Sequence, residues 1–101
     1  MSKVAMPRPR YIAFAIDGAR PAARGEVQQA LRALPGSPQL TRYAWPHGIV
    51  RVEHGHEAAC RAALARVQRV GDQAATVRPL STSGTLLALT TRLGVLQERP
   101  R

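Results

Sequence analysis

The chain is 101 residues long and weighs 10.9 kDa, the size of one small domain with no room for a second core. Apolar residues make up 45% and aromatics only 4%, which excludes wholesale disorder and calls for an aliphatic, alanine-rich core. Fifteen basic residues against 6 acids give a net charge of +9, which points to a polyanionic partner and argues against a free-standing enzyme acting on cationic or neutral metabolites.

All the basic residues except Lys3 are arginine, whose planar fork of donors suits phosphate. The single cysteine, Cys60, rules out an internal disulfide. The stretch from Met1 to Pro7 has no apolar run of signal-peptide length. No segment approaches the roughly 18 apolar residues of a membrane span. A soluble, cytoplasmic protein with no membrane partner is expected.

In chain order, Lys3, Arg8 and Arg10 with Pro7 and Pro9 read as a basic extended arm, with the arm proper at residues 1–9. Tyr11 to Ile16 alternates as a first strand, with Ile12, Phe14 and Ile16 on one side and Tyr11, Ala13 and Ala15 on the other; Asp17-Gly18 ends it. Pro21 suits the first turn of a helix that carries Val27, Ala30, Leu31 and Leu34 and stops at Pro35-Gly36. Residues 40–45 form a second strand, Pro46-His47-Gly48 a turn, and residues 49–54 a third strand, paired as an antiparallel hairpin.

Residues 57–70 carry a helical stripe of Cys60, Ala63, Leu64, Val67 and Val70, opposite Arg61, Arg66 and Arg69, with Gly71 as terminator. Residues 74–80 form a fourth strand that Pro79 ends near an edge or bend. Ser83 caps a third helix bearing Leu86, Leu87, Leu89 and Leu93, and residues 97–101 are a polar basic tail. The order β-α-β-β-α-β plus a C-terminal helix specifies an α+β fold. It is a ferredoxin-like, RRM-like sandwich over residues 10–96. Its second sheet face is solvated, or covered by the third helix or a partner. The small side chains of Ala13 and Ala15 make that face a candidate for close approach by a protein.

This architecture serves many functions, so the residues must decide. Base stacking of the RNA-recognition type needs aromatics on the first and third strands, and the third has none; RNA binding would therefore run through arginine and phosphate. The acids Asp17, Glu26, Glu53, Glu57, Asp72 and Glu98 form no spaced cluster for catalytic metal, so no catalytic residues are assigned. His54, His56 and Cys60 resemble a ligand string but lack a fourth member, and Cys60 falls on the apolar stripe; no metal site is assigned. Ser81, Ser83 and Thr85 have no nucleophile elbow; they read as a helix cap that either stands alone or, with Arg78 upstream, holds an RNA phosphate.

Four segments, in order, resemble one family: Arg10 to Phe14, Gly48 to Val52, the helix from Ala58 to Val70, and the run Val77-Arg78-Pro79-Leu80-Ser81-Thr82-Ser83-Gly84-Thr85-Leu86. The family is ribonuclease P protein component 2, the archaeal form of the Pop-five subunit, and the resemblance spans roughly residues 8–95. It implies a ferredoxin-like subunit of a ribonucleoprotein endonuclease that removes the 5′ leader from precursor tRNA. The RNA would perform the hydrolysis with Mg²⁺ bound to it, and the chain itself would bind no cofactor. The implied partners are ribonuclease P RNA, the TIM-barrel subunit called ribonuclease P protein component 3, other ribonuclease P proteins and, indirectly, precursor tRNA. The connection from Pro35 to Gln39 and the turn at Pro46 to Gly48 are short for the family, which removes any contact that longer loops make.

The preferred RNA contacts are Lys3, Arg8, Arg10, Arg78, Ser81, Ser83, Thr85 and Arg92, followed by Arg51 and the arginines of the second helix. Other readings of the same element order are a regulatory domain of the ACT type, a small ribosomal protein, and an acylphosphatase, whose phosphate cradle the loop from Asp17 to Arg20 lacks.

Overall fold

A computed structural model describes residues 9–36 and 38–83 of the chain. The elements run β1 (Arg10–Gly18), α1 (Arg24–Leu31), β2 (Gln39–Ala44), β3 (His47–Val52), α2 (Glu57–Leu64), β4 (Arg69–Val70) and β5 (Gln73–Ser83). They build a curled, wholly antiparallel five-stranded sheet in the order β2-β3-β1-β5-β4, with two helices, consistent with a ferredoxin-like α+β fold. The expected arm apart from Pro9 and Arg10, the third helix and the basic tail lie outside the described residues.

β1 is central because alternation gives it an apolar side chain at every second position and β-rich partners on both edges. Its Ile12, Phe14 and Ile16 join Val50 and Val52 of β3, Ala75 and Val77 of β5, and Val27, Leu31, Cys60 and Leu64 of the helices in one core. Gly48 of β3 makes room for that core: a Cβ there would lie 2.5 Å from Phe14 Cζ.

α1 starts at Arg24, three residues after Pro21, because the Glu26 carboxylate accepts a hydrogen bond from the Ala23 N–H (3.1 Å) and so caps the helix there. The Gln28 side chain then reaches β2, accepting from the Leu40 N–H (2.9 Å).

Three sequence expectations are corrected. The second helix does not run to residue 70 but stops at Leu64, where N–H groups of Arg66 and Val67 bond to carbonyls three residues back and tighten the last turn. Val70 continues the apolar spacing but is buried from a strand, and Arg69 leaves the supposed helical arginine face. Gly71 (φ +64°) therefore turns the β4–β5 hairpin instead of ending the helix, at the position where primed hairpin turns want positive φ.

The last strand does not end at Leu80. The β1–β5 register shifts between Ala13 and Phe14, so that Phe14 faces Pro79 while Ala13 faces Ser81. That bulge accommodates the missing proline N–H, and the strand resumes as far as Ser83. The third correction concerns the β2–β3 turn, which is Trp45-Pro46 with a cis peptide bond; His47 and Gly48 already belong to β3.

Candidate nucleic-acid interface

Strand alternation sends the odd-numbered residues of β1 away from the helices, and register fixes their neighbours. Tyr11 lies between Arg51 of β3 and Ser83 of β5, and Gln39 of β2 lies beyond Arg51, so these four share one row across the sheet. Ala13 lies between Ile49 and Ser81 in the next row, and Ala15 between His47 and Arg78 in the one after.

The middle of this face is covered around Ala13 and Ala15 and not solvated, the second of the two states expected for it. Ala13 and Ile49 are wholly inaccessible and Ala15 is 3% exposed, with Tyr11 and Leu80 packed against Ala13 and Ile49. Polar, accessible groups are left at the margins of the sheet.

The sequence-derived contacts scatter over these margins. Arg51 is exposed, and its guanidinium has no hydrogen-bond or ion-pair partner among the described residues. Arg78 is exposed but its Nε donates to Asp17 Oδ2 at 2.9 Å, so its charge is partly balanced. Arg10 is half-buried, with Nε 3.8 Å from Glu57 Oε2.

Ser81 and Ser83 sit in β5 opposite Ala13 and Tyr11, because the strand outlasts Pro79 and carries them in its ladder; the helix that Ser83 was expected to cap lies outside the described residues. Lys3, Arg8, Thr85 and Arg92 lie outside the described residues. Arg61 is not on a free solvated face. Its guanidinium donates to Thr82 Oγ1 (3.1 Å) and to the Leu80 carbonyl (3.3 Å), fastening α2 to the bulged segment of β5. Arg66 and Arg69 are exposed.

Each of the five described acids is engaged elsewhere in the fold. Asp17 pairs with Arg78, Asp72 with Arg20, and Glu57 with Arg10; Glu26 caps α1, and Glu53 lies 3.7 Å from His56 Nδ1. Among the described residues no three histidines, cysteines or acids converge as a metal site. Cys60 points into the core, where burial pushes its thiol up to about 11, while His54 and His56 are exposed on the turn before α2. The three members of the string therefore face different surroundings.

A feature that sequence reasoning missed lies beside Arg51. A groove of about 640 Å³ opens between Pro9, Gln39, Arg51, Glu53, His54 and His56. The two histidines carried a signal as a possible ligand string. Nothing in the sequence places Gln39 beside them, because the β2–β3 register does that.

The family model of the Rpp14/Pop5 family matches residues 36–93, from the loop before β2 through the whole described remainder of the fold. The matched span includes Arg51, Arg78, Ser81, Ser83, Thr85 and Arg92, and leaves out Lys3, Arg8 and Arg10. No curated protein matches the chain.

Proposed function

Because the chain belongs to the Rpp14/Pop5 family and is thus a ribonuclease P protein subunit, we propose that it is a non-catalytic, RNA-binding member of that ribonucleoprotein. The family match carries this reading, and it favours neither the ACT-type regulatory domain nor the ribosomal protein. In the proposed role the chain binds and supports the catalytic domain of ribonuclease P RNA together with the TIM-barrel subunit. The RNA removes the 5′ leader of precursor tRNA, and Mg²⁺ belongs to the RNA. The site of action is the cytoplasm.

The chemistry available supports a binding role. The described carboxylates are spread over the fold, each with its own protein partner, so none is grouped with others to hold catalytic metal. Arginine supplies what packed RNA helices lack, namely fixed positive charge where phosphates crowd. Arg51 and Arg78, with Lys3, Arg8, Arg10, Ser81, Ser83, Thr85 and Arg92, form the proposed contact set.

The test is cleavage of precursor tRNA by the cognate ribonuclease P RNA at low Mg²⁺, first with the TIM-barrel subunit alone and then with this chain added. Activity is expected only with both proteins present. An unchanged rate and unchanged Mg²⁺ requirement on adding the chain would overturn the proposed role.

A further inference from the structure

We propose that the groove beside Arg51 holds one unpaired nucleotide of an RNA, with the phosphate on Arg51 and the base against the turn that carries His54 and His56. The inference rests on the RNA-binding reading above and specifies a site within it.

Backbone contacts shape the walls of the groove. The turn from Glu53 to His56 is closed by the His56 N–H donating to the Glu53 carbonyl (3.0 Å), with Gly55 at φ +92° in the third position, where a type II turn requires positive φ. Gly36 presses on the same turn: its φ is +88°, a Cβ there would lie 2.8 Å from His56 Cβ, and its carbonyl accepts from the Glu53 N–H (3.3 Å). Only glycine fits that close approach. On the other side, the register places Gln39 directly opposite Arg51. These contacts form the groove before any ligand arrives, and its volume lies within the range of pockets that enclose one small molecule.

The lining is suited to a nucleotide more than to a bare anion. Arg51 offers an uncommitted guanidinium for phosphate. His54 and His56 provide flat rings and Pro9 an apolar edge, the surfaces on which extruded RNA bases stack. The Gln39 amide can both donate to and accept from a base edge, and the Glu53 carboxylate accepts from exocyclic amino groups. That same carboxylate repels a free phosphate from the histidine side of the groove. A duplex would expose no base here, so the fit is to a single-stranded or bulged nucleotide.

The experiment is a two-dimensional NMR titration of the full chain with each of the four 5′-ribonucleotides, with the matching nucleosides, and with inorganic phosphate. Saturable shifts are expected at Gln39, Arg51, His54 and His56 with nucleotides, and at least about fivefold weaker binding in the His54→Ala/His56→Ala double variant. Phosphate alone is expected to bind at least as weakly as that variant binds nucleotides. Equal shifts and equal affinity for phosphate and nucleotides, or shifts confined to other surfaces, would overturn the proposal.

Gln39→Ala, a change outside the turn, is expected to weaken nucleotide binding too. It keeps the test decisive if the double variant loses its fold. Nucleotide titration needs no ribonuclease P RNA, and the cleavage assay needs no groove. Supported cleavage without nucleotide binding removes the groove alone; nucleotide binding without supported cleavage removes the proposed supporting role alone.

Discussion

Gln73 is the buried polar side chain of the described core, at 7% exposure, and it holds the exit of β1 in place. Its Oε1 accepts from the N–H groups of Ala19 (3.0 Å) and Arg20 (3.3 Å), and its Nε2 donates to the Arg20 carbonyl (2.8 Å). Gly18 lies so close that a Cβ would meet Gln73 Oε1 at 2.9 Å. Replacing the amide with a methyl group removes three hydrogen bonds that hold the loop at Ala19 and Arg20. Gln73→Ala is therefore expected to lower stability by about 1–3 kcal/mol. Urea unfolding checks it, through a lower midpoint at an unchanged slope. An unchanged midpoint would show that water replaces the amide at no cost. Nothing in the sequence marked this residue, because its partners are more than fifty positions away.

At the scale of elements, α2 is set by its N-terminus. The Glu57 carboxylate accepts from the Gly55 N–H at 2.7 Å, and the Arg10 guanidinium lies nearby. Hydrogen bonding from its own backbone N–H, then from Gly55, with the charges of Arg10 and His54, holds the Glu57 carboxyl below its ordinary value of 4.5, against an opposing contribution from partial burial. A carboxyl whose value is lower folded than unfolded adds stability above the unfolded value, and that stability disappears as pH falls through the folded one. In Glu57→Gln the melting temperature is expected to be lower at neutral pH and to fall less steeply below about pH 4.5. Thermal unfolding followed from pH 7 to pH 3 reads both changes; parallel curves for the two proteins would sink the idea.

The same scale shows why the element order was legible and two boundaries were not. The alternation from Tyr11 to Ile16 and from Ile49 to Val52, and the stripe of Cys60 and Leu64, each fit one period only. Val70 fits two, since a residue three positions after Val67 extends a helical stripe and also serves a two-residue strand. Tertiary pairing with Gln73 decides between them. Pro79 signalled a strand end, and only the partner strand reveals that a bulge absorbs it. The groove was hidden for the same reason: its composition comes from registers and from the Gly36–His56 approach, whereas Arg51 alone was visible as a basic residue on a strand.

For the whole molecule, +9 is the dominant fact, but the arginines that carry it are not equivalent. Arg20, Arg78 and Arg10 face acids, Arg24 donates to the Leu40 carbonyl (2.6 Å), and Arg61 clamps α2 to β5. An arginine tied to carbonyl and hydroxyl groups inside the fold, as Arg24 and Arg61 are, neutralises no phosphate and so displaces few of the cations condensed on the RNA. An uncommitted one neutralises a phosphate and displaces cations condensed on the RNA, and the logarithm of affinity then falls with the logarithm of salt by about 0.7–0.9 for each phosphate neutralised. Two substitutions that remove the same charge should thus behave differently. Arg51→Ala is expected to weaken binding to ribonuclease P RNA and to flatten the salt slope by about one such increment. Arg61→Ala is expected to lower the melting temperature and leave the slope as it was. Filter binding across a salt series, beside thermal melts of both variants, separates the two effects. If both variants flatten the slope equally, net charge alone governs RNA affinity, and the distinction between committed and free guanidinium groups has no bearing on binding.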